Sequence, residues 1–162
     1  MQGGLHTEIA LCNTIGDYLE DSGWTTALTN ADITSAGKAD SFLKTSHLAR
    51  TRHSHQVSAL ALAQLEEEAF LSSGEKNDVE ARQAWIMTMI EKSPTFQYWS
   101  TILKMEITGL IFVRAHREQN FTLYVESMKE FTPWFCRVDR ESRSVQKVDG
   151  CRSGAGSNYS RI

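Results

Sequence analysis

Ser93-Pro94-Thr95-Phe96-Gln97-Tyr98-Trp99-Ser100-Thr101-Ile102-Leu103-Lys104-Met105-Glu106-Ile107-Thr108-Gly109-Leu110-Ile111-Phe112-Val113-Arg114-Ala115-His116-Arg117 is the stretch that decides the architecture. Its start is marked twice: Ser93 can cap a helix, and Pro94 at the first helical position wastes no amide hydrogen. Phe96, Trp99, Leu103, Leu110 and Val113 keep a three-four rhythm, and Ile102, Ile107, Ile111 and Phe112 widen the apolar arc until little solvent face remains. A helix that apolar belongs at the centre of a bundle. Arg114, His116 and Arg117 close it, where cations favour the negative end of the helix dipole.

Upstream, Leu5, Ile9, Cys12 and Leu19 recur on one helical face, which predicts a helix from His6 to Ser22 with Gly23 as its C-cap. A short helical piece over Trp24 to Asn30 follows, then a turn at Thr34-Ser35-Ala36-Gly37 and a helical turn from Ala39 to Thr45. The stretch from His55 to Leu71 reads as a long helix with Val57, Leu60, Ala61, Leu65 and Phe70 inward and Glu66, Glu67 and Glu68 in water. Ser72-Ser73-Gly74 breaks it, and Asn77 with Glu80 resembles a capping box for the helix carrying Trp85, Ile86, Met89 and Ile90.

Downstream, Asn120 can cap a last helix with Phe121, Tyr124, Val125 and Met128 inward, and Pro133 marks its end or the first turn of another. The fold class is therefore mainly α, a single irregular bundle of five or six helices over residues 1–136. Residues 137–162 lose all periodicity and read as a disordered basic tail.

Composition narrows the functional classes. The chain has 162 residues and a formal charge of −3, so no global field draws it to nucleic acid or anionic lipid. The tail carries +3 of that total and the first 136 residues −6. Cys12, Cys136 and Cys151 have no close spacing and the N-terminus lacks a basic residue ahead of an apolar run, which point to a reduced, intracellular setting. The longest apolar stretch, Ile107 to Val113, is far short of the ~20 residues that a membrane span needs, so no membrane partner is expected.

The densest chemical cluster is His47-Leu48-Ala49-Arg50-Thr51-Arg52-His53-Ser54-His55-Gln56, with Asp32 and Asp40 upstream. Arg50, Arg52, His53 and His55 are the candidate binding residues, for a phosphate or nucleic acid or, with His47, for a divalent metal. The spacing is poor for a metal, because two ligands on one helix work at i and i+4 whereas His53 and His55 diverge around the axis. The structural alternative is a helix start whose His and Arg side chains pair with carboxylates and backbone carbonyls.

Glu106 lies on the apolar face of the central helix and must be paired or protonated; Arg114, Arg117, Arg50 and Arg52 are its candidate partners. Cys12 reads as a small buried hydrophobe, and Trp24, Trp85, Trp99 and Trp134 read as core. No glycine-rich phosphate loop, Ser-His-Asp set or Cys-His set can be argued, so no catalytic residue, metal site or cofactor is assigned.

Five blocks carry a resemblance: Gly16-Asp17-Tyr18-Leu19-Glu20-Asp21-Ser22-Gly23-Trp24, Ala39-Asp40-Ser41-Phe42-Leu43, Arg50-Thr51-Arg52-His53-Ser54-His55-Gln56-Val57, Phe96-Gln97-Tyr98-Trp99 and Phe112-Val113-Arg114-Ala115-His116-Arg117-Glu118-Gln119-Asn120-Phe121. They resemble an uncharacterised, multicopy invertebrate protein family related to a domain of unknown function, over roughly Leu5 to Phe135. Acidic residues that longer relatives carry on either side imply a transposase-derived ancestry with an RNase H-like core holding two metals. Neither acidic segment occurs in this chain. The resemblance thus implies a non-catalytic helical fragment of a transposon-related or mobile-element-like protein, whose partners include the flanking segments. A self-standing helical protein-interaction module is the alternative, and a metal-dependent hydrolase or nucleic-acid-binding domain using the His47 to His55 cluster is the second.

Overall fold

A computed structural model of the chain describes residues 3–135, and the expected basic tail lies outside them. The described residues form α1 (Gly4–Leu19), α2 (Trp24–Asn30), α3 (Ala36–Leu43), α4 (Leu48–Ser72), α5 (Val79–Lys92), α6 (Pro94–Arg117) and α7 (residues 121–135), with no strand among them. Seven helices stand where five or six were expected. The difference is α3, which starts at Ala36 behind the extended Ser35 and makes two turns rather than one.

The central position of α6 is as the sequence required. Ser93 Oγ accepts the Phe96 amide at 3.2 Å, and Ile102, Met105 and Phe112 then enter a core shared with Leu11, Ile15 and Leu19 of α1, Trp24 and Leu28 of α2, Phe42 of α3 and Phe131 of α7. α1, α4 and α5 all pack on α6. Across the α1–α3 crossing a Cβ on Gly16 would stand 2.1 Å from the Leu43 carbonyl oxygen, so only glycine allows the two backbones to approach.

Boundaries moved where a local cap won. α1 ends at Leu19, Asp21 takes the left-handed position after it (φ 57°), and Gly23 uses its positive φ (84°) as the N-cap of α2. Asp78, not Asn77, caps α5, accepting the Ala81 amide at 2.8 Å. Asn120 caps α7 through the Leu123 amide at 3.0 Å, but that helix runs through Pro133 to residue 135 rather than stopping there.

Burial departs from the periodic reading in two helices. Leu5 is exposed, and the inner face of α1 carries Glu8, Leu11, Cys12, Ile15 and Leu19. In α4 the inner face is Thr51, Ser54, His55, Ser58, Ala59 and Phe70, while Leu60 and Leu65 stand 63% and 62% exposed and Ala61 is also outside. α5 buries no residue fully. It is held by an aromatic ladder, Phe70 against Trp85 at 5.5 Å and Trp85 against Phe96 at 5.4 Å, with Arg82 over the Phe70 ring and clasped by Glu66 and Glu67. Those two glutamates are half-buried, because the arginine of the next helix draws them in.

Candidate functional site

The first candidate is polar and lies between α1, α4 and α6. His55 enters the interior because α4 begins at Leu48, seven residues before the predicted start, so its first turns pack against α6. Its Nδ1–H donates to Glu106 Oε1 at 2.8 Å, with His55 4% and Glu106 1% exposed. The partner of the buried carboxylate is thus a histidine from α4 and none of the four arginines named from sequence. Arg114 instead bonds Glu118 one turn on at 2.9 Å, and Arg52 Nε donates to Glu8 Oε1 at 2.6 Å.

Trp24 closes the other side. Its ring stacks on the His55 imidazole at 5.4 Å between centroids, and its Nε1–H donates to Ser58 Oγ at 2.7 Å. Ser58 passes its own hydrogen to the Ser54 carbonyl at 2.9 Å. Burial pulls the His55 pKa down, but the Glu106 charge and the neighbouring Cys12 outweigh it and raise the group from 6.5 to about 10. Burial pushes the Glu106 carboxyl up, with His55 opposing.

This arrangement places the sequence cluster residue by residue. Arg50, His53 and His47 are exposed, Arg52 is half-buried on Glu8, and His55 is inside. The helix separates them around its circumference instead of gathering them. No group of three His, Cys, Asp or Glu side chains among the described residues is placed to hold a metal. Cys12, read from sequence only as a small hydrophobe, is buried and shares a cavity of about 20 Å³ with His55, Glu106, Glu8 and Arg52. Its helical position gave it an inward face; nothing in its spacing announced the histidine from α4.

The second candidate is apolar and larger. Between α2, the outer half of α4, α5 and the start of α6 lies a groove of about 670 Å³. Its floor is Trp24, Leu28 and Leu103, and its walls include Leu65, Phe96 and Trp99. Among the described residues the only charged one lining it is Glu66, and that carboxylate is engaged by Arg82. Sequence reasoning placed Leu65, Phe96 and Trp99 in the core and so missed the groove they border. Trp24 lies between the two sites, with one edge in the groove and its face on His55.

In comparisons with family models, curated proteins and solved structures, nothing matches the chain. No helix among the described residues is long and apolar enough to cross a membrane.

Proposed function

We propose that the described helices act as a non-catalytic interaction module that takes an apolar body into the groove between α2 and α4–α6. The observation that carries this reading is the groove itself: about 670 Å³, floored by Trp24, Leu28 and Leu103, with no unpaired charge among the described residues that line it. Ligand sites are concave, mostly apolar and about 300–1,000 Å³, and contiguous apolar surface on a soluble chain marks a place where something binds. The polar site supports less as a docking site, because it is small and buried, and Arg50 and His53 are exposed away from it. A mobile-element origin for such a module rests on the resemblance of sequence blocks alone.

The test is a solvatochromic apolar dye titrated into the full chain, with Trp24 and Trp99 fluorescence as a second readout. Ala61 lines the groove and is exposed, so Ala61→Trp fills the space without disturbing the core. The proposal expects saturable dye binding that Ala61→Trp abolishes while helicity and melting temperature hold. Absent or unsaturable binding, or binding indifferent to Ala61→Trp, would overturn it.

A further inference from the structure

The polar site contains one group that the groove reading does not use. Cys12 comes from α1, His55 from α4 and Glu106 from α6, and the three meet around a cavity of about 20 Å³. A thiol, an imidazolium in the same cavity and a carboxylate fixing that ring through Nδ1 put a positive charge and a proton donor around a cysteine, the setting that favours its thiolate. Two buried atoms of the set, His55 Nε2 and Glu106 Oε2, have no hydrogen-bond partner. Such atoms cost free energy unless something small and polar visits them. Cys12 lines the same small cavity as His55, and His55 Nε2 has no hydrogen-bond partner there.

The cavity sets the size of what can reach the sulfur. One water needs about 10–15 Å³ of such space, so about 20 Å³ admits a molecule of one or two heavy atoms and excludes any organic substrate. Cys12 itself is 8% exposed. A cavity of that size suits a small oxidant better than an organic substrate.

We infer that Cys12 is a peroxide-reactive thiol, oxidised to the sulfenic acid by hydrogen peroxide admitted to the cavity it shares with His55 and Glu106. The thiol proton leaves to water, and the sulfur attacks one peroxide oxygen. The S–O bond forms as the O–O bond breaks, with the sulfur giving up two electrons to the peroxide. The departing hydroxide takes a proton from the His55 imidazolium and leaves as water, and solvent restores the imidazolium. Thiol and peroxide thus become sulfenic acid and water. Glu106 is a positioning residue here: it holds the ring and keeps its proton. Arg52 and Glu8 line the same cavity as a neutralised pair and add no net charge.

The experiment exposes the full chain to hydrogen peroxide, native and in urea, and counts oxidised Cys12 by peptide mass after alkylating the surviving thiols. The unfolded chain supplies the intrinsic rate of the same cysteine. A maleimide, too large for the cavity, is run in parallel. The inference expects peroxide to oxidise Cys12 about tenfold faster in the native chain than in urea, while the maleimide reacts more slowly in the native chain. His55→Gln and Glu106→Gln should each remove the native acceleration. A buried but inert thiol is protected from both reagents, so a native peroxide rate at or below the urea rate overturns the inference. An acceleration that survives in a variant with native helicity overturns it as well. Should neither variant fold, the native-to-urea ratio and its reversal between the two reagents still decide.

Discussion

The two halves of α4 solve opposite problems. Residues 48–59 turn Thr51, Ser54, His55 and Ser58 inward, so the buried face of that half is polar. Beyond residue 60 only Phe70 is buried, and Leu60, Leu65 and Leu71 stand in water. One helix thus carries hydroxyls and a charge pair inside and leucines outside. The first half can do so because two of these groups meet a partner from another element, Glu106 for His55 and Trp24 for Ser58, while the Thr51 and Ser54 hydroxyls are buried without one. The second half leaves its leucines out because α5 covers it with a narrow aromatic ladder and the Arg82 clasp on Glu66 and Glu67. Burial in this chain follows which elements arrive, not which residues are oily.

Removing the carboxylate is the harshest way to break that contrast. Glu106→Ala removes the charge that keeps His55 protonated, so burial drives the ring to its neutral form with its nitrogens unpartnered, and losing one member of such a pair costs about 3–5 kcal/mol. Urea denaturation should show that loss. Replacing both members with apolar side chains, His55→Leu with Glu106→Leu, should recover most of it, since a well-packed apolar pair is often as stable as the ion pair. If the double variant proved no better than the single one, the polar half would have a role in the packing that charge pairing does not explain.

A pH titration of stability addresses the same pair without mutation. The folded chain raises His55 from 6.5 to about 10, so it holds a proton that the unfolded chain releases. That contribution is present in full below pH 6.5 and is lost as the pH climbs to about 10. The expected decline is on the order of a few kcal/mol across the window. It should vanish in the His55→Leu/Glu106→Leu background. A flat profile from pH 6.5 to 10 in the unmutated chain would mean the proton is not held.

Ser58→Ala is the milder test of the polar half. It strips the acceptor from the Trp24 Nε1–H, and a buried donor left without a partner costs about 1–3 kcal/mol. The same change on an exposed serine of the second half, Ser72→Ala, should be nearly silent.

These contrasts also show why the sequence was legible in some places and opaque in others. The start of α6 was legible because its signal is local, Ser93-Pro94 before an all-round apolar run, whereas Gly23 was read as the end of the first helix and serves instead as the N-cap of α2. The burial of Glu106 was legible too, since its flanks, Leu103 and Leu110, fix its face. Its partner was not, because His55 lies 51 positions away and an arginine is the more obvious counter-charge. The inward face of α4 misled for the same reason. A leucine pattern gives the face that would be buried if the neighbours covered it evenly, whereas in the first half the partners from α2 and α6 arrive on the side where Ser58 and His55 stand. Cys12 belongs to the same class of residue, assigned correctly to the interior and silently to its company.

The smallest effects separate exposure from use. Leu60 and Leu65 are equally exposed, at 63% and 62%, and five positions apart on one helix. Only Leu65 borders the groove. Exposed side chains away from packing change stability by no more than about 0.5 kcal/mol, so Leu60→Ser and Leu65→Ser should both melt with the parent chain. Binding should divide them: Leu65→Ser removes apolar wall from the groove and weakens dye binding several-fold, while Leu60→Ser leaves it unchanged. Equal losses would mean the dye wets the whole outer face of α4 rather than entering the groove. A loss from Leu60→Ser alone would move the binding surface to the other side of the helix. Because neither leucine supports the fold, whatever difference appears between them belongs to binding.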